Sequence, residues 1–203
     1  MVTEYNTIDK VSEGEFRDRG SKFLAYAFPC IDADEAKAKI EALWKEHPNA
    51  CHICFAWRFG VERFQDRYSD DGEPNNSAGK PIFGQILSFE LTNIAIAVVR
   101  YYGGTNLGVG GLVTAYKTAS KEALSKAKIT IKKIQNYYSL SYNYEETGVI
   151  MSILNKWNTT IINQGFEHNQ PIINFNIPII SGDSIEQELS QLKTTNLTLI
   201  KTV

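Results

Sequence analysis

The sequence predicts an α+β protein in two parts: a mixed α and β N-terminal part, then a ferredoxin-like βαββαβ part. Three observations carry this. β-branched and aromatic runs such as "NIAIAVVRY" (93–101) are interleaved with amphipathic stretches along the first two thirds of the chain. A length of 203 residues, 43% of them hydrophobic, is enough for the cores of two modest units. From residue 134 onward the pattern runs strand, helix, strand, strand, helix, strand.

After an opening strand, "FRDRGSKFLAYAFPC" passes from polar to apolar, as a turn feeding a second strand does. Asp32 to His47 is an amphipathic helix, with Ala36, Ile40, Leu43 and Trp44 on one stripe and acids in its first turn. Cys51–Phe59 and Arg63–Ser69 read as a hairpin joined at Gly60. "DDGEPNNSAGKP" is a loop by composition, and "PIFGQILSFE" is a short buried helix that Ser77 can cap. The strand "NIAIAVVRY", a glycine-rich loop and a helix from Leu112 to Lys126 complete this part. The second part reads as strand Ile134–Tyr142, helix Glu145–Trp157, strands Thr159–Gln164 and Ile172–Ile179, helix Asp183–Leu192 and strand Leu197–Thr202. The domains expected are therefore 1–133 and 134–203, with the boundary at a strand entrance.

Composition excludes several classes. No run approaches the twenty or so apolar residues of a membrane span, and "MVTEYNTIDK" lacks the order of a secretion signal, so a cytoplasmic protein with no membrane partner is expected. The net charge of -2 argues against a strongly electrostatic nucleic-acid binder. Residues 135–203 carry 3 Lys/Arg against 6 Asp/Glu, so the second part is the poorer phosphate binder. Cys51 and Cys54 form a CxxC, but on a strand they point to opposite faces; two reduced thiols are expected, not a redox pair or a zinc site.

"RYYGGTNLGVGG" (100–111) holds five glycines. It lacks the lysine of a P-loop and the third glycine of a dinucleotide fingerprint, so no nucleotide cofactor is expected. Spacing alone favours a tight strand-to-helix connection, although a helix start behind glycines also suits an anion. Asp70, Asp71 and Glu73 crowd one loop and can be a solvated turn or weak Mg²⁺ ligands; alone they favour the turn. On the strand after Cys51, the odd positions are apolar, while His52, Cys54, Ala56 and Arg58 make a face that is either a half-covered sheet surface or the lining of a shallow site. A Cys54–His52 dyad is conceivable there. The remaining histidines, His47 and His168, sit at a helix end and in a turn. Lys117 and Lys121 lie one turn apart on the helix behind the glycines, adding positive charge near Arg100.

Taken together, "GSKFLAYA" (20–27), "HICFAWRFG" (52–60), "SDDGEPNNSAGKPI" (69–82) and "VVRYYGGTNLGVGGLVTAY" (98–116) resemble the IMPACT/YigZ family. The resemblance implies an N-terminal fold like domain 2 of a small-subunit ribosomal protein, an α/β sandwich, followed by the ferredoxin-like domain of the bacterial members. It implies an association with translational control. Eukaryotic members carry a further N-terminal interaction domain; this chain starts almost at the shared one, so the resemblance does not carry their partner over to it. The family signature makes a shared binding surface the expectation for Asp70, Asp71, Gly72, Glu73, Pro74, Lys80, Arg100, Tyr101, Gly103, Gly104, Gly108, Gly110 and Gly111, with His52 and Arg58 beside it. Acids of the 70–74 loop are expected to pair with Arg100 or Lys80. The function expected is non-enzymatic binding of RNA, the ribosome or a regulatory protein through the 70–81 and 100–111 loops, without metal or cofactor. The alternative is a small-molecule hydrolase using Asp70, Asp71 and Glu73 with a metal, or Cys54 with His52.

Overall fold

In a computed structural model that describes residues 2–167, 170–192 and 194–203, the opening strand resolves into two: β1 (Glu4–Ile8) and β2 (Ser12–Asp18). Arg19 and Gly20, both with positive φ, turn β2 into β3 (Ser21–Pro29). Helix α1 (Ala33–Glu46) comes next, capped by the Asp32 carboxylate, which accepts from the N–H groups of Asp34 and Glu35. Beyond it lie β4 (His52–Phe59), β5 (Gln65–Ser69), α2 (Gly79–Ser88), β6 (Ile94–Tyr101), α3 (Gly108–Lys126) and β7 (Ile129–Lys133). Tyr5–Lys132 is one compact unit; Lys133–Val203, with a short N-terminal stretch, is the other.

The N-terminal unit is built on an antiparallel five-stranded sheet ordered β2-β3-β6-β4-β5, while β1 pairs with β7. Ile94 to Arg100 of β6 are all buried because helices cover both faces. Ile94, Ile96 and Val98 join Phe23, Cys54 and Ala56 under α2 and α3. Ala95, Ala97 and Val99 join Ile53, Trp57 and Phe59 under Ala36, Ile40 and Leu43 of α1. Trp44, expected on that stripe, is 39% exposed. The half-polar face expected on β4 is likewise absent: Cys54 and Ala56 are fully buried under the second helical layer. Strand β7, which follows α3 directly, is not expected from the sequence; it pairs with β1 rather than with the main sheet.

In the second unit β8 (Gln135–Ser141), a 3-10 turn at Tyr144–Glu146, α4 (Thr147–Lys156), β9 (Thr160–Glu167), β10 (Gln170–Pro178), α5 (Gly182–Leu189) and β11 (Asn196–Thr202) succeed one another. The antiparallel sheet order β11-β8-β10-β9 is the ferredoxin-like arrangement expected from the sequence. Tyr138, Leu140, Phe175 and Ile177 form its core with Ile150, Leu154, Ile185 and Leu189 of the helices. His168 lies outside the described residues.

Candidate functional site

The acidic loop is an extension of the sheet. β5 leaves the ladder at Ser69, which pairs with Phe55; continuing the register sets Asp71 opposite Ile53. There the Asp71 side chain replaces the missing strand, its Oδ2 accepting from Ile53 N–H at 2.7 Å. His52 Nδ1 donates to the Asp71 carbonyl at 2.6 Å, which holds the ring over the turn. Asp71, Gly72 and Asn76 all have positive φ, so the loop doubles back on itself.

Asp70 then does what Ser77 was expected to do. Its Oδ1 accepts from Ala78 N at 3.0 Å and Gly79 N at 2.8 Å, and its Oδ2 from Asn76 N at 2.8 Å. A carboxylate at this helix start satisfies open N–H groups and complements the dipole. Ser77 is buried, and its hydroxyl has no hydrogen-bond partner among the described residues. Gly79 is required by close approach, since an added Cβ would lie 2.7 Å from the Ser69 backbone.

Glu73 turns inward from the same loop. Its Oε1 accepts from Arg100 Nη1 at 2.5 Å and from Tyr116 Oη at 2.7 Å. Arg100 reaches it from β6 and Tyr116 from α3, so one buried carboxylate joins loop, sheet and helix. The Arg100 guanidinium also lies 5.6 Å from the Phe23 ring centre and 5.5 Å from that of Tyr102. Phe23 in turn meets Tyr116 edge-on at 5.1 Å. Of the two expected cations, Arg100 makes the pair; Lys80 is exposed on the first turn of α2.

The glycine-rich stretch divides in two. Gly103 lets the end of β6 pass the β2–β3 turn, where an added Cβ would lie 1.9 Å from the Gly20 carbonyl carbon. Its N–H donates to Ser21 Oγ at 3.1 Å. From Gly108 the chain is already helical, four residues earlier than the periodicity predicts, so Gly108, Gly110 and Gly111 form the first turn of α3. No side chain caps this turn. Added Cβ atoms at Gly104, Gly108 and Gly110 would meet nothing within 4 Å. Tyr102 and Val109 flank this open backbone, 47% and 56% exposed.

Two expected residues lie elsewhere. Arg58, six residues from His52 along β4 and so roughly 20 Å away, pairs with Asp66 and stacks 3.7 Å from the Phe64 ring centre. Tyr101 points to the opposite face from Arg100, its hydroxyl 2.9 Å from His47 Nδ1; the other ring nitrogen of His47 meets Tyr26 at 3.0 Å. Tyr116 is the member of this buried cluster that sequence reasoning missed. Its only sequence signal is an aromatic on the buried stripe of α3, which reads as plain core.

The chemistry left open is limited. Cys54 is fully buried, its thiol donates to the Asp70 carbonyl at 3.0 Å, and burial raises its pKa far above the ordinary thiol value. His52 is engaged by the loop carbonyl, so a Cys54–His52 nucleophile pair does not form. Asp70, Asp71 and Glu73 direct their carboxylates to three different places in the protein, not to a common point. Among the described residues no group of three or more His, Cys, Asp or Glu is arranged to hold a metal ion. Burial likewise pushes the Tyr116 phenol well above its usual range, so it stays a neutral donor to Glu73.

Such a unit, an antiparallel sheet covered by helices on both faces with its 70–81 loop tied down by one buried carboxylate, is an α+β domain. The model of the Impact N-terminal domain matches residues 19–124, and the chain belongs to the IMPACT family. An IMPACT family member from Haemophilus influenzae is 36% identical over 155 residues, 75% of each chain. IMPACT family member YigZ from Escherichia coli is 36% identical over 149 residues, 72% of this chain and 73% of that one. A crystal structure of a hypothetical protein matches with a TM-score of 0.79 at 28% identity, covering 99% of both chains.

Proposed function

We propose that the protein is a non-enzymatic binding protein of the translation apparatus, presenting the 70–81 loop and the glycine-rich start of α3 to an anionic partner. The observation that carries this is how the loop spends its chemistry. Every carboxylate of the 70–73 segment is bonded within the protein, and what faces outward includes open backbone, Pro74, Asn75, Asn76, Tyr102, Val109 and, as its charged group, Lys80. A hydrolase would need an exposed nucleophile or converging acids there, and these residues supply neither. Family membership supports the association with translational control that the resemblance implies, and with it a cytoplasmic site of action.

Positive charge supports an anionic partner. Lys117 and Lys121 line a groove between α2 and α3 together with Pro81, Gly84, Gln85 and Val113, on the same helix that begins at Gly108. RNA is the form to test first, with fluorescent single-stranded RNA titrated into the full chain at two salt concentrations. Affinity should fall as salt rises, and Lys117→Ala or Lys121→Ala should each lower the log–log salt slope by about 1. Binding that ignores salt, or no binding at all, would sink the RNA form. A protein partner is then the reading to pursue, in keeping with the acidic second unit.

A further inference from the structure

The edges of the two larger sheets are protected unequally. An edge strand offers unpaired N–H and C=O groups to any passing strand, and charges, prolines and bulges are the usual defences. β2 carries Glu13, Glu15, Arg17 and Asp18, and β5 carries Asp66 and Arg67. β11 carries Lys201, and its ladder is broken at Ile200. β9 is different. Its bulge falls at Ile162, near its start, and its charge, Glu167, at its last residue, so the stretch 163–166 between them holds no charge and no proline. Ile162 and Phe166 stand 52% and 71% exposed.

The strand is also complementary to itself. Two copies laid antiparallel and centred on Gln164 set Ile162 opposite Phe166 twice and Asn163 opposite Gly165 twice, with Glu167 falling at the two ends opposite Ile161. A β-branched side chain facing an aromatic ring is a favourable cross-strand pair, and a twofold axis repeats it. Gly165 has open space around it: an added Cβ would meet nothing within 4 Å, which leaves room for the opposing Asn163.

We propose that β9 is the surface through which two copies of this chain pair edge to edge, forming one continuous sheet across a twofold axis. The contact is small, so the dimer is weak. Each copy brings a second unit with 3 Lys/Arg against 6 Asp/Glu over residues 135–203. Salt relieves the repulsion between these two like-charged units, so the dimer tightens as salt rises. That is the opposite of the RNA response, and it separates the two contacts.

Sedimentation of the full chain from about 1 μM to about 1 mM, spanning strong to marginal association, tests the proposal. A concentration-dependent dimer is expected, and Phe166→Lys should raise its dissociation constant roughly tenfold or more while leaving the circular dichroism unchanged. In a Cys51→Ser background, Gln164→Cys should cross-link to a covalent dimer on oxidation, because opposed strand positions fall within disulfide reach. Leu199→Cys on β11 should not. A wild-type chain that stays monomeric throughout overturns the proposal. So does a Phe166→Lys dimer as tight as wild type, or a Gln164→Cys chain that cross-links no faster than Leu199→Cys.

Discussion

Glu73 and Arg100 lie 27 residues apart in the chain and meet inside it, Oε1 to Nη1 at 2.5 Å, with side chains only 4% and 8% exposed. The pair converts a surface loop into part of the sheet, because neither group can leave without stranding the other in the core. Tyr116 adds a second donor to the same oxygen and extends the tie to α3.

Breaking one side of the pair should therefore cost far more than replacing both. Glu73→Leu or Arg100→Met is expected to destabilise the chain by roughly 3–5 kcal/mol, because a buried charge is left uncompensated. The double variant Glu73→Leu with Arg100→Met should recover a large part of that loss. Urea denaturation of wild type, the single variants and the double variant measures the coupling. Additive losses would show that the pair does not act as a unit.

The helix cap makes a sharper contrast. Asp70→Ala removes the acceptor of three backbone N–H groups at the start of α2 and should cost about 1–2 kcal/mol or more. Ser77→Ala removes a hydroxyl that bonds nothing among the described residues, so it should be near neutral. Thermal unfolding midpoints decide this; equal effects would return the cap to Ser77.

That contrast marks where the sequence is legible. Asp32 caps α1 from the adjacent position, so composition and periodicity together place that helix to within a residue. β6 is legible because seven buried residues in a row need no partner to be named. Asp70 caps α2 from eight and nine residues upstream, and that distance is closed by a loop with three positive-φ residues that no local rule reads. β4 is half legible: alternation identifies the strand, but a small residue such as Cys54 or Ala56 reads alike on a half-open face and under a closely packed helix. The glycine signature is legible as an elbow. Its division into a close approach at Gly103 and an open helix turn at Gly108 depends on where the β2–β3 hairpin sits.

Alkali should unfold the protein through its buried acids, Cys54 and Tyr116 as well as Cys30 and the part-buried Tyr26. Burial, reinforced by Glu35, raises the Cys30 thiol from 9.0 to about 12; burial, reinforced by Glu13 and Glu46, raises the Tyr26 phenol from 10.0 to about 12. In both, the folded chain favours the protonated form. Their contribution is thus complete below about pH 9, declines as the unfolded chain ionises, and is gone above about pH 12. Urea midpoints measured across pH 8–12 should fall through this window, less steeply in Cys30→Ala.

Thiol labelling gives an independent reading of the same packing. Cys51 is exposed, whereas Cys30 and Cys54 are buried. A disulfide reagent should modify one thiol rapidly and the other two only at the rate of unfolding. Fast labelling of Cys54 would reopen the nucleophile that the structure closes.

The last test separates what the glycines do for the fold from what they do for binding. Gly103→Ala drives a methyl into the backbone of Gly20 and Ser21, 1.9 and 2.1 Å away, and should destabilise the chain strongly. Gly110→Ala meets nothing within 4 Å and lies in the first turn of a helix, where alanine is favoured by up to about 1 kcal/mol. On stability alone, alanine is therefore the better residue at position 110. If the open turn is where an anionic partner lies against the backbone, Gly110→Ala should raise the melting temperature yet weaken RNA binding. A variant that is both more stable and equally avid would remove this turn from the binding surface and leave the groove of Lys117 and Lys121 to carry it.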